Sequence, residues 1–244
     1  MASWFTQSRW DPRGTGIPWW AVVAAGTAPV LLVVGFSFAA ALQPASYNPV
    51  HDTISSLAAQ GASDPWVMTT ALVGVGMCYL ITALGLRPAR QGGRVALASG
   101  GAATLVIAVL RQPLHGYSLW HAFAVVAAST TMCTWPVLSA HRRHCAPLLR
   151  FPPNITAAAV LLSITMWFAF EQHRAELGVA ERCAAVAAAL WLFPVVFTTR
   201  RALAPTAPRE MLHLSGGRPP GISHAEILLE AADDLGRSRM EDRS

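Results

Sequence analysis

Six runs of mainly apolar residues divide the chain, at Ile17 to Leu42, Trp66 to Leu86, Val95 to Leu110, Leu119 to Ala140, Ile155 to Phe170 and Cys183 to Thr199. A helix crosses the hydrocarbon core with about 20 apolar residues, roughly 17 to 25 as a working range. Each run therefore predicts a membrane span, the shorter third, fifth and sixth borrowing small flanking residues such as Gly92 and Gly93. The expected fold class is all-α: a polytopic membrane helix bundle with six transmembrane helices, over residues 17–201, preceded by a cytoplasmic N-terminal segment at 1–16.

A polar stretch, Tyr47-Asn48-Pro49-Val50-His51-Asp52-Thr53-Ile54-Ser55-Ser56-Leu57, separates the first two runs. Asn48 is a suitable N-cap and Pro49 a suitable first helical residue, and Val50, Ile54, Leu57 and Ala58 recur at helical spacing. Gly61 supplies a stop, so Pro49 to Gln60 reads as a short amphipathic helix at the membrane interface between spans one and two. His51 and Ser55, and Asp52 and Ser56, are spaced to stack on such a helix. Asp52 also suits the helix start electrostatically.

Residues 202–244 read as a cytoplasmic tail, mostly disordered, in which Pro205, Pro208, Gly216, Gly217, Pro219, Pro220 and Gly221 break regular structure. Ser223 and Glu226 then form a capping-box pattern, Ile227, Leu228, Ala231 and Leu235 share a face, and Gly236 supplies an end. This predicts a short acidic helix, a place for a protein partner to dock.

Composition agrees with the spans: 53% of the 244 residues are hydrophobic and 13% charged, against roughly 25% charged in a soluble domain. The basic residues are all Arg, and most lie in short loops between the apolar runs. Topology accounts for them better than nucleic acid does, and no nucleic-acid partner is expected. Arg9 and Arg13, then Arg87, Arg90 and Arg94, then Arg142, Arg143 and Arg150, then Arg200 and Arg201 mark one face, whereas Arg111, Arg174 and Arg182 mark the other. By the positive-inside rule the protein lies in the cell membrane with both termini cytoplasmic and Tyr47 to Leu57 outside. The first run is too long for a cleaved signal segment. Cys78, Cys133, Cys145 and Cys183 have no metal or haem-attachment spacing and read as small apolar residues.

The candidate chemistry gathers on the outer side. His51, Asp52, Ser55 and His121 are candidates for catalysis, and Tyr47, His115, Glu171 and His173 for ligand binding. Imidazole and carboxylate are the usual ligands of zinc, which lowers the pKa of a bound water. Zinc is thus a possible cofactor, although no HExxH motif fixes a metal site. Haem lacks a second axial histidine on a neighbouring span. The span centres hold no ionisable residue of the kind a proton-coupled transporter uses.

The Tyr47 to Leu57 stretch resembles the first-loop pattern of the domain-of-unknown-function 998 family, six-span bacterial membrane proteins, with its aromatic, Pro and Thr-Ile-Ser-x-Leu core. His121-Ala122-Phe123-Ala124 is similar to that family's fourth-span histidine. The resemblance covers about residues 17 to 200. Leu110-Arg111-Gln112-Pro113 stands where the family pattern has Phe-Pro and an acidic residue. The resemblance implies six helices and assigns no reaction. The reading that follows is a multi-pass integral membrane protein of the bacterial envelope, in contact with the lipid bilayer, whose outward polar vestibule binds a lipid or small ligand. Two alternatives accompany it: a metal-dependent membrane hydrolase using outer His and Asp residues, and an accessory or scaffold subunit of an envelope complex.

Overall fold

Every one of the six apolar runs forms a helix in the computed structural model, which describes residues 16–113, 118–142, 146–172 and 174–204. The elements are α1 (Trp19–Ala41), α2 (Ile54–Leu57), α3 (Pro65–Gly85), α4 (Gln91–Val109), α5 (Leu119–Ser139), α6 (Phe151–Phe170) and α7 (Leu177–Ala202), with a 3-10 turn at Pro147–Leu149 before α6. All but α2 are long and apolar enough to cross a membrane. The protein is a multi-pass membrane protein. The tail helix expected between Ser223 and Gly236 lies outside the described residues.

The spanning helices pack in the order α1, α3, α4, α5, α6, α7 and back to α1, which closes a ring. Small residues let α3 and α4 approach closely. A Cβ on Gly76 of α3 would lie 2.9 Å from the Gly101 carbonyl oxygen of α4, and one on Gly101 would lie 2.8 Å from that of Gly76. Only glycine permits this backbone approach, and close backbone contact is what associates helices where lipid supplies no hydrophobic drive. Across the short loop joining this antiparallel pair, Arg94 Nε donates to the Ala83 carbonyl at 3.0 Å and satisfies an orphan carbonyl at the end of α3.

Contacts along α5–α6 and α6–α7 are sparser than along the α1–α3–α4–α5 arc. Helix α6 buries only Asn154, Ala157 and Leu161 of its 20 residues. The ring is therefore closed tightly on one side and loosely on the other, and the space this leaves inside is where the polar residues collect.

Two elements differ from their sequence patterns. The interfacial helix is one turn, Ile54–Leu57, and not Pro49 to Gln60, and its N-cap is Thr53, whose hydroxyl accepts from the Ser56 N–H at 3.0 Å. Asn48 to Asp52 form turns instead. The sixth span begins at Leu177, six residues before Cys183, and so takes Glu181 and Arg182 into its first turns. Both departures have one cause, the hydrogen bonds between the start of α7 and the loop that precedes α2.

Candidate functional site

Carbonyl groups that would have closed the first turns of a helix at Pro49 are occupied by donors of α7. Gly178 N–H and Val179 N–H both donate to the Val50 carbonyl, at 2.9 and 3.3 Å. Arg182 Nη1 donates to the Pro49 carbonyl at 2.7 Å, the Asp52 carbonyl at 2.9 Å and the Gly178 carbonyl at 2.8 Å, and its Nη2 to the Tyr47 hydroxyl at 2.5 Å. The guanidinium also sits 5.6 Å from the centre of the Phe36 ring of α1, a cation–π distance. The planar fork matches several fixed acceptors at once. The Tyr47 to Ser55 segment is thus a strap clasped by the start of α7.

Glu181, one residue earlier on α7, faces the other way along the strap. Its Oε2 accepts the Ile54 N–H at 2.5 Å and its Oε1 accepts the Ser55 hydroxyl at 3.1 Å. The free N–H groups at a helix start need partners, and for α2 they come from Thr53 and from this carboxylate. Gly178 is required where strap and helix meet, since a Cβ there would overlap the carbonyl oxygens of Asp52 and Pro49.

Inside the ring lies a cavity of about 520 Å³, bounded by α5, α6, the start of α7 and the α2 turn. A smaller one of about 130 Å³ reaches inward among Leu32, Leu72, Val75 and Tyr79. Ser55, Val125, Ser129, Cys133, Thr165 and Glu181 border both. The larger cavity has a polar end, with Ser55, Gln112, Ser118, His121, Gln172 and Glu181. Its remaining wall runs down α5 and α6 and includes Val126, Leu162 and Met166, which face the outside of the bundle at 61%, 50% and 43% exposure. The cavity consequently reaches the lipid-facing surface between α5 and α6.

His121, 5% exposed, is held from two sides. Its backbone N–H donates to the Ser118 hydroxyl at 3.3 Å, and its Nδ1 lies 2.6 Å from the Leu110 carbonyl oxygen. A carbonyl only accepts, so Nδ1 carries the proton and, in the neutral ring, Nε2 is a lone pair. That Nε2 is buried and has no hydrogen-bond partner among the described residues.

The remaining candidates fall in different places. Ser55 is buried on the cavity wall. Asp52 does not line it; its Oδ2 accepts the Asn48 N–H at 2.7 Å and fastens the strap's own turn. His51 is exposed on the strap. Tyr47 is half-buried under Arg182, and burial pushes its phenol above the ordinary value of 10.0 while the guanidinium opposes that rise. Glu171 is buried, accepts the Glu176 N–H at 3.3 Å and closes the turn between α6 and α7 away from the cavity. His115 and His173 lie outside the described residues. Among the described residues no three His, Cys, Asp or Glu side chains gather as a metal site.

Sequence reasoning missed Glu181, Arg182 and Gln112. The available signal was helical phase: Leu177, Gly178, Val179 and Ala180 continue the apolar run backwards across the charged pair.

Comparison with known proteins adds the family. No curated protein and no solved structure matches the chain. A family model described as "protein of unknown function (DUF998)" matches residues 11–198. That stretch takes in the strap, the cavity walls and nearly all of α7, and the chain belongs to the DUF998 family.

Proposed function

We propose that the protein binds a membrane amphiphile, a lipid or lipid-like small molecule, with its head in the polar end of the cavity and its chain leaving between α5 and α6. The observation that carries this reading is the form of the cavity: buried polar groups at one end and a wall continuous with the lipid-facing surface at the other. Ligand sites are mostly apolar with a few placed polar groups. A lateral opening allows entry from the bilayer without passage through water. The α2 end of the bundle lies outside the cell membrane in this reading and both termini inside, because the Arg-rich loops are at the opposite end.

Photo-crosslinking tests it. A diazirine-bearing lipid in nanodiscs is expected to label Ser129 and Thr165, which line the cavity, and unlabelled lipid is expected to compete. Labelling confined to outer-surface residues such as Val30 and Val109, with no competition, would overturn the reading.

A further inference from the structure

Two groups at the cavity's polar end, the Glu181 carboxylate and the His121 ring, are acceptors toward it, beside the serine hydroxyls and glutamine amides that can donate or accept. Both oxygens of Glu181 accept protein donors, and each carboxylate oxygen retains a further lone pair. Glu181 keeps partial exposure and borders both cavities. On α5 the buried Nε2 of His121 is an acceptor, because the Leu110 carbonyl takes the proton on Nδ1, and it has no partner among the described residues. A buried polar atom left unpaired is costly, and such a group in a native fold calls for an explanation.

Among the described residues lining the two cavities there is no Arg and no Lys. Arg182 is adjacent in sequence, but its guanidinium is spent on two strap carbonyls, those of Pro49 and Asp52, on the Gly178 carbonyl of α7 and on the Tyr47 hydroxyl. A carboxylate without a facing cation, in surroundings of low dielectric, repels a carboxylate or phosphate and attracts a cation. An ammonium carries three donors and no acceptor, which complements two carboxylate oxygens and an imidazole lone pair.

We infer that the headgroup taken by this cavity is a primary amine, held as its ammonium between Glu181 and His121. The inference rests on the amphiphile reading above and names the ligand class for it.

Its test compares three single-chain probes of equal length on the full chain in phosphatidylcholine nanodiscs at neutral pH, with partition into empty nanodiscs subtracted: dodecylamine, dodecanol and dodecanoate. Dodecylamine is expected to bind ~10-fold or more tightly than dodecanoate, a ratio equivalent to at least one decade in Kd, with dodecanol between them. Glu181→Gln and His121→Phe are each expected to narrow that gap. The ranking in the unaltered protein does not depend on either variant folding. Dodecanoate binding as tightly as the amine overturns the headgroup assignment and leaves the amphiphile reading standing. Absence of saturable binding by all three overturns that reading and the assignment with it.

Discussion

Ser55 donates its hydroxyl to Glu181 Oε1 at 3.1 Å, joining residues 126 positions apart in the sequence. The same carboxylate takes the Ile54 N–H, so a single side chain of α7 fixes the start of α2. Glu181→Ala leaves both donors without their partner and is expected to cost about 1–3 kcal/mol, the penalty for an unsatisfied buried group. Ser55→Ala removes one donor and leaves the Ile54 contact in place, for about 0.5–1.5 kcal/mol. Denaturant unfolding of the purified protein measures both. The double variant should cost less than the sum, since the two residues share one interaction, and strict additivity would show that the contact contributes nothing.

The strap depends equally on a residue with no side chain. Gly178→Ala places a methyl group against the Asp52 and Pro49 carbonyl oxygens, which are backbone atoms that cannot rotate away. Overpacking of this kind costs typically about 1–3 kcal/mol. Hydrogen exchange should report it as faster exchange at Ile54 and Ser56, whose N–H groups lie within the clasped segment. Unchanged protection there would mean that the strap holds without α7.

These contacts mark the boundary between what was legible in the chain and what was not. Span positions follow from apolar length, which the bilayer alone dictates, so the six helices were readable. The strap was not, because local propensity at Asn48 and Pro49 favours a helix start, while its carbonyls are claimed by Gly178, Val179 and Arg182 from the far end of the fold. Glu181 and Arg182 looked like a loop for the complementary reason. A charged pair at a span end is tolerated only where partners exist, and most of those partners are backbone groups and hydroxyls of the strap. Ser55 and His121 were identified from residue type and position, and both line the cavity. Glu181, which accepts the Ser55 hydroxyl and lines the same cavity, was hidden by its neighbourhood.

Alkaline pH offers a separate handle on the clasp. Burial raises the Tyr47 phenol above 10.0, with Arg182 opposing, so the folded chain holds this proton more tightly than the unfolded chain. Where the folded state binds more protons, stability falls as pH rises. The contribution of Tyr47 is whole below about pH 10, the ordinary tyrosine value, and is lost as pH rises through the higher folded value. The melting temperature is expected to fall less steeply above pH 10 in Tyr47→Phe than in the unaltered protein. Parallel curves would place the phenol in a solvated setting.

The route from the bilayer to the cavity is open to a steric test. Val126 lines the cavity and is 61% exposed on α5, where that helix faces α6 across the opening. Trp at this position adds bulk without entering the packed arc of α1, α3 and α4, so Val126→Trp is expected to fold with a near-native melting temperature. If amphiphiles enter between α5 and α6, the same substitution weakens binding of a saturating lipid probe by about tenfold or more, equivalent to ~1.4 kcal/mol. Val23→Trp is the matched control: Val23 is 56% exposed on α1 and borders neither cavity. Binding that falls equally in both variants would trace the loss to the outer surface, and binding that survives in Val126→Trp would move the entrance to the polar end of the cavity, past Gln112 and Gln172.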